Sequence, residues 1–179
     1  MMRVFFGLEI PGPQRSSLAV QQSLLPLPRK TDPQDFHLTL AFLGDLPEDR
    51  VEVAHELALD LRVPAFSLII ANLGLFGGAR PRVAWAGVLP SAPLLRLHSK
   101  LDSALRRAGF TLDSRRFAPH VTLGRFAAPP PEVTMRLERG VAETAFQLEP
   151  FAVESLALYR AHPGVATARY QVMERYRLT

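Results

Sequence analysis

The chain has 179 residues, no cysteine and a net charge of +4, with 47% hydrophobic and 21% charged residues. This length suits one domain with a sizeable core, and the composition is that of a folded chain rather than a disordered one. The missing thiols exclude disulfides, thiolate metal sites and cysteine nucleophiles. Nineteen of the 21 basic residues are Arg, which grips phosphate bidentately. A modest positive balance therefore permits a nucleic-acid ligand without establishing one.

The opening MMRVFFGLEIPGP is a short apolar run broken by Glu9 and Pro11, which reads as folded structure rather than a signal peptide. No apolar stretch is long enough to cross a bilayer, so a cytoplasmic location and no membrane partner are expected. Residues 3–10 predict a strand, and Pro13 opens a short helix to about Leu25. After a Pro-rich connection, FHLTLAFLG (36–44) predicts a second strand closed by Gly44. Pro47 starts a helix in which Val51, Ala54, Leu57, Ala58 and Leu61 keep helical spacing. FSLIIANLGLF (66–76) and RVAWAGV (82–88) predict a strand pair around GGARP. Ser91 and Pro93 open a third helix with Leu94, Leu97, Leu101 and Leu105 inward and Gly109 at its stop.

FAPHVTLGRF (117–126) has the texture of the strand at 36–44. A short helix at 132–142 and two strands, VESLALY (153–159) and ARYQVMERYRL (168–178), around the turn His162-Pro163-Gly164 complete the chain. The mixture lacks a regular βαβ rhythm and any glycine-rich phosphate loop, which predicts an α+β fold with mainly antiparallel sheets.

Two segments repeat a pattern. His37-Leu38-Thr39-Leu40 and His120-Val121-Thr122-Leu123 are both His-x-Thr-Leu, 83 positions apart. That is close to half the chain, and it suggests a quasi-duplicated architecture with one copy in each lobe. Strand alternation puts His37 and Thr39 on one face, with Leu38, Leu40 and Phe42 toward a core. The same alternation sets His120 and Thr122 against Val121 and Leu123. Two such strands facing a cleft would surround a small anion with two imidazoles and two hydroxyls. Imidazoles titrate near neutral pH, so one can serve as acid and the other as base. Arg125 falls on the opposite face of a regular strand, and a bend or bulge after Gly124 would turn it toward the anion.

Plainer accounts exist for each residue type. A His on a half-buried strand is often structural, and Thr is a common strand former. The duplication favours function for His37 and His120, while His55, His98 and His162 keep the structural account. No close pair of ligands predicts a zinc site. Phe5, Phe6, Phe42, Trp85 and Phe126 read mainly as core, with one or two of them candidates to stack on a base.

These residues make the sequence resemble the 2H phosphoesterase superfamily, defined by two His-x-Thr-x motifs. Within it the chain is similar to the bacterial and archaeal RNA 2′,3′-cyclic phosphodiesterases, historically called 2′-5′ RNA ligases. RVFFGLEIP, HLTLAFLG, PRVAWAG, FAPHVTLGR and ALYR…ARYQVMERYRL carry the resemblance over almost the whole chain. It implies one domain, 1–179, whose two lobes bear the motifs at 37–40 and 120–123 on two antiparallel sheets around a cleft. It further implies hydrolysis of RNA 2′,3′-cyclic ends to 2′-phosphomonoesters, with reversible 2′-5′ ligation as an accompanying reaction. His37 would be the proton donor and His120 the proton acceptor, with Thr39, Thr122 and Arg125 on the phosphate. No cofactor, metal or obligate protein partner is implied. Two other readings stay open: a module that holds RNA ends with little turnover, and a 2H enzyme acting on another small cyclic or 2′-5′-linked nucleotide.

Overall fold

The computed structural model describes residues 1–165 and 169–179. In chain order the elements are β1 (Met2–Glu9), α1 (Gly12–Ser23), β2 (His37–Leu46), α2 (Glu48–Leu59), β3 (Phe66–Leu68), β4 (Ile70–Phe76) and β5 (Val83–Val88). They continue with α3 (Ala92–Arg107), β6 (His120–Arg125), α4 (Pro131–Glu143), β7 (Phe151–Val153), β8 (Ser155–Ala161) and β9 (Tyr170–Arg177). Seven strands form one sheet in the order β4-β5-β6-β2-β1-β8-β9, and β3 pairs with β7 in a small second sheet. Every strand pairing in the described residues is antiparallel, so the α+β expectation holds. The large sheet has two halves, β4-β5-β6 and β2-β1-β8-β9, each with one His-x-Thr strand. They join at one register pair, Leu38 with Val121, so both motifs lie on one large sheet rather than on two separate ones as expected.

One face of this sheet is covered and the other is open. Val4, Phe6, Leu8, Leu38, Val121 and Leu123 join the main core with the apolar sides of the helices. In α3 the Ser91 hydroxyl accepts the Leu94 N–H as a cap, and Leu94, Leu97, Leu101 and Leu105 are all buried. Gly109 follows with a positive φ of 80°, the left-handed C-terminal stop that its spacing predicts. Leu61 lies beyond the end of α2 but still packs on the core. The open face carries a smaller apolar cluster around Phe5 and Tyr159.

Four expectations along the chain need correction. FSLIIANLGLF is divided at Ile69, because its first residues pair with β7 in the other sheet. VESLALY is likewise divided at Glu154 between β7 and β8. Phe42 does not point into the core: it is 50% exposed. Between the pairs Phe6–Ala41 and Gly7–Thr39, β2 has one residue more than β1. This bulge lets both Leu40 and Ala41 face the core and sends Phe42 to the open face, since one extra residue reverses the alternation. Gly44, with φ of 78°, absorbs a second irregularity there, so β2 runs on to Leu46 instead of stopping. The turn at 163–164 is present; residues 166–168, including the expected strand start at Ala168, lie outside the described residues.

The packing yields a paired test. Leu97 is 0% and Leu95 53% exposed on the same helix. Leu97→Ala is expected to cost about 2–5 kcal/mol of unfolding free energy, and Leu95→Ala to stay within about 0.5 kcal/mol, both read from denaturant titrations.

Candidate functional site

β2 and β6 lie at the middle of the sheet, and the Leu38–Val121 pair sets how their motifs meet. Both apolar residues point into the core, so His37, Thr39, His120 and Thr122 occupy the open face. Antiparallel order about that pair turns His37 toward Thr122 and Thr39 toward His120, which brings four of the expected site residues together. Arg125 joins them by a bulge. β5 pairs Trp85 with Thr122 and Ala84 with Gly124, leaving Leu123 as an extra residue of β6. The turn expected after Gly124 therefore occurs one residue earlier, and it returns Arg125 to the face of His120 and Thr122. Its charge acts on both imidazoles. Phe42 stands five residues after His37, as Arg125 stands five after His120. The two bulges thus give the two motifs matching shapes with different tips, one aromatic and one cationic.

Each imidazole is held in the same way. The Nδ1 atom of His37 lies 2.7 Å from the Asp35 carbonyl oxygen, and that of His120 lies 2.7 Å from the Ala118 carbonyl oxygen. A carbonyl can only accept, so Nδ1 carries the proton and donates it. Nε2 is then the atom with the free lone pair in the neutral ring. In His37 it accepts from the Thr39 hydroxyl at 3.1 Å.

The surroundings of the two rings differ. His37 is enclosed by Phe5 at 4.8 Å, Tyr170 at 4.8 Å and Tyr159 at 5.5 Å between ring centroids. Burial lowers its pKa to about 4, against the opposing pull of the Asp35 carbonyl bond and the Asp35 charge. His120 has the edge of Phe76 at 5.0 Å and Trp85 at 6.2 Å. Its pKa is also lowered, first by burial and then by Arg125, with the Ala118 carbonyl acting the other way. Both rings are neutral in the free protein near pH 7.

Asp35 is a buried carboxylate that sequence reasoning passed over. It accepts the backbone N–H groups of Arg169 and Tyr170 at 3.2 Å each, so it fastens the start of β9 where Tyr170 packs on His37. Tyr159, Tyr170 and Phe76 were also passed over, because nothing in a single strand says which ring lies across from it. The other histidines are engaged elsewhere. His55 bonds the Tyr176 hydroxyl at 2.8 Å, His98 stacks on Phe117 at 3.8 Å, and His162 bonds Gln171 at 3.0 Å. Among the described residues no group of three or more His, Cys, Asp or Glu is arranged to hold a metal ion, and no helix is long and apolar enough to cross a membrane.

Comparison with known proteins gives a consistent set. The family model of the 2′-5′ RNA ligase superfamily matches residues 19–164. The RNA 2′,3′-cyclic phosphodiesterase of Geobacillus stearothermophilus is 32% identical over 99% of this chain, which spans 58% of that protein's length. The enzyme of the same name from Thermus thermophilus is 31% identical, with 99% of this chain and 90% of the relative covered. A crystal structure of Escherichia coli LigT complexed with 3′-AMP has a TM-score of 0.82 at 28% identity, covering 99% of this chain and 98% of the other.

The depressed His37 value has a sign that can be checked. Unfolding returns this ring to its ordinary value near 6.5, so between pH 6.5 and 4 the unfolded chain binds more protons than the folded one. Stability is then fully present above pH 6.5 and falls as acid is added through that window. The loss is expected to be on the order of 3 kcal/mol and to flatten in His37→Gln, measured by denaturant unfolding across the pH range. Nitrogen NMR shifts at pH 6 should report a neutral His37 with its proton on Nδ1.

Proposed function

The chain belongs to the 2′-5′ RNA ligase superfamily, among its RNA 2′,3′-cyclic phosphodiesterases, and we propose that His37 and His120 carry the reaction as proton donor and proton acceptor. The observation that supports this reading is the antiparallel meeting of two His-x-Thr strands on one open face, with each Nδ1 held by a carbonyl and each Nε2 left for chemistry.

The substrate is an RNA end closed as a 2′,3′-cyclic phosphodiester, a monoanion. Bringing an anion beside His37 favours the charged imidazolium and offsets the burial that holds the free ring neutral. Protonation of Nε2 reverses the bond to Thr39 and releases the hydroxyl hydrogen toward a phosphate oxygen. Thr122 donates in the same way, and Arg125 balances the charge that grows on the phosphoryl oxygens. A water molecule then attacks phosphorus as His120 Nε2 takes its proton. The bond from phosphorus to the ribose 3′ oxygen breaks, and His37 delivers its proton to that oxygen. The product is a 2′-phosphomonoester with a free 3′-hydroxyl. With an RNA 5′-hydroxyl in place of water, the same groups make a 2′-5′ linkage, and the reverse step undoes it. All the proton handling is done by side chains of the protein. Phe5, Phe6 and Phe126 are buried, whereas Phe42 and Phe76 are exposed and Phe76 and Trp85 lie against His120, so Phe42, Phe76 and Trp85 are the rings offered to a base.

An RNA oligomer with a 2′,3′-cyclic end tests the reading directly: turnover to a 2′-phosphomonoester supports it, and retention of the end without turnover overturns it in favour of a binding module. His37→Ala and His120→Ala are each expected to lose about 10²–10⁴ in rate. A substrate whose leaving group has a low pKa should rescue His37→Ala and not His120→Ala; rescue of the opposite variant would reverse the two roles. Exhaustive chelation is expected to leave the rate unchanged.

A further inference from the structure

The bulge that brings Arg125 into the site is held from the covered side of the sheet. Leu123, its extra residue, has a carbonyl that accepts the Thr31 N–H at 2.8 Å and the side-chain amide of Gln22 at 2.7 Å. The same Gln22 nitrogen donates its other hydrogen to the Thr31 carbonyl at 2.7 Å. Gln22 is 4% exposed, sits on α1 101 positions before Leu123, and uses its full donor capacity on these two oxygens. Gly124 closes the junction from below. A Cβ there would lie 2.5 Å from the Arg29 carbonyl oxygen and 3.2 Å from the Leu27 side chain, so only glycine lets the connection before β2 pack against the bulge.

We propose that Gln22 is a positioning residue for phosphate binding, keeping Leu123 bulged so that Arg125 stays on the face of His120 and Thr122. The proposal rests on the phosphate role given to Arg125 above. Its physical basis is the small register difference at stake. A strand with period two sends each following side chain to the opposite face when one residue is taken out of or put into the register. The Gln22 amide ties the Leu123 and Thr31 carbonyls together in a buried place; removing it takes that donor from the Thr31 carbonyl and leaves the Leu123 carbonyl with the Thr31 N–H alone. The two side-chain hydrogen bonds of Gln22 go to the Thr31 and Leu123 carbonyls on the covered side, so its effect on substrate passes through Arg125.

Gln22→Met, which keeps length and loses the donors, is compared with Arg125→Ala, the double variant and Gly124→Ala. Gln22→Met is expected to raise KM more than it lowers kcat. Its kcat/KM on an RNA 2′,3′-cyclic end should fall about tenfold to a hundredfold. It should add nothing to Arg125→Ala. Arg125 lowers the titration point of His120, so an NMR titration should move upward in Arg125→Ala and, in the same direction, in Gln22→Met. Gly124→Ala approaches the same junction from the other side, so it should reproduce both effects if Gln22→Met proves too unstable to assay. The proposal is overturned if Gln22→Met lowers only the melting temperature, with wild-type kcat/KM and His120 titration, or if its loss multiplies that of Arg125→Ala. An Arg125→Ala variant with wild-type kinetics overturns the phosphate role instead, and the His120 titration still decides whether Gln22 places Arg125.

Discussion

Everything at the open face depends on how two strands from distant parts of the chain are pinned together. β2 and β6 share one register pair, Leu38 with Val121, and both side chains point into the core. That pairing does two things at once. It fuses the halves of the sheet, and it turns the two His-x-Thr motifs head to tail on the open face. Beyond Val121 the Leu123 carbonyl accepts the N–H of Thr31, in the chain before β2, so the ladder does not continue on that side.

The electrostatics of the site follow from the same geometry. A backbone carbonyl two residues before each histidine fixes the tautomer, with the proton on Nδ1 and the lone pair on Nε2. Aromatic walls then keep the rings neutral, more strongly at His37, which has three, than at His120, which has two. Arg125 adds a positive charge that favours neutral imidazoles and attracts an anion. Such surroundings resist protonation of the imidazoles, and under the proposed function a bound phosphate reverses that preference. The difference in enclosure gives two chemically similar residues distinct behaviour within a nearly symmetric frame.

Much of this was legible in the linear chain. The alternation of His37-Leu38-Thr39 and His120-Val121-Thr122 identifies which residues share a face, because strand geometry makes that a local property. The leucines of α3 and the stop at Gly109 are equally local, resting on helical periodicity and backbone freedom. The antiparallel α+β class follows from the absence of a βαβ rhythm. Where the local rule failed, it failed at bulges. Phe42 was expected inside and stands outside, because Leu40 and Ala41 are both accommodated by the core. Arg125 needed a bend to reach the site, and the bend lies at Leu123, one residue before the place where a regular strand would need it.

Sequence by itself thus determined the two motifs, the faces of their strands and the helices that cover one side. Those are consequences of backbone geometry repeated over a few residues. Only the tertiary structure decided which rings enclose His37, how the motifs are oriented toward one another, and on which side Arg125 and Phe42 emerge. A bulge holds its place through partners far along the chain, as Leu123 does through Gln22 and Thr31. A carboxylate such as Asp35 shows its role only when the backbone of β9 arrives to be bound. No local pattern encodes such partners, since their identity depends on which segments the fold brings into contact.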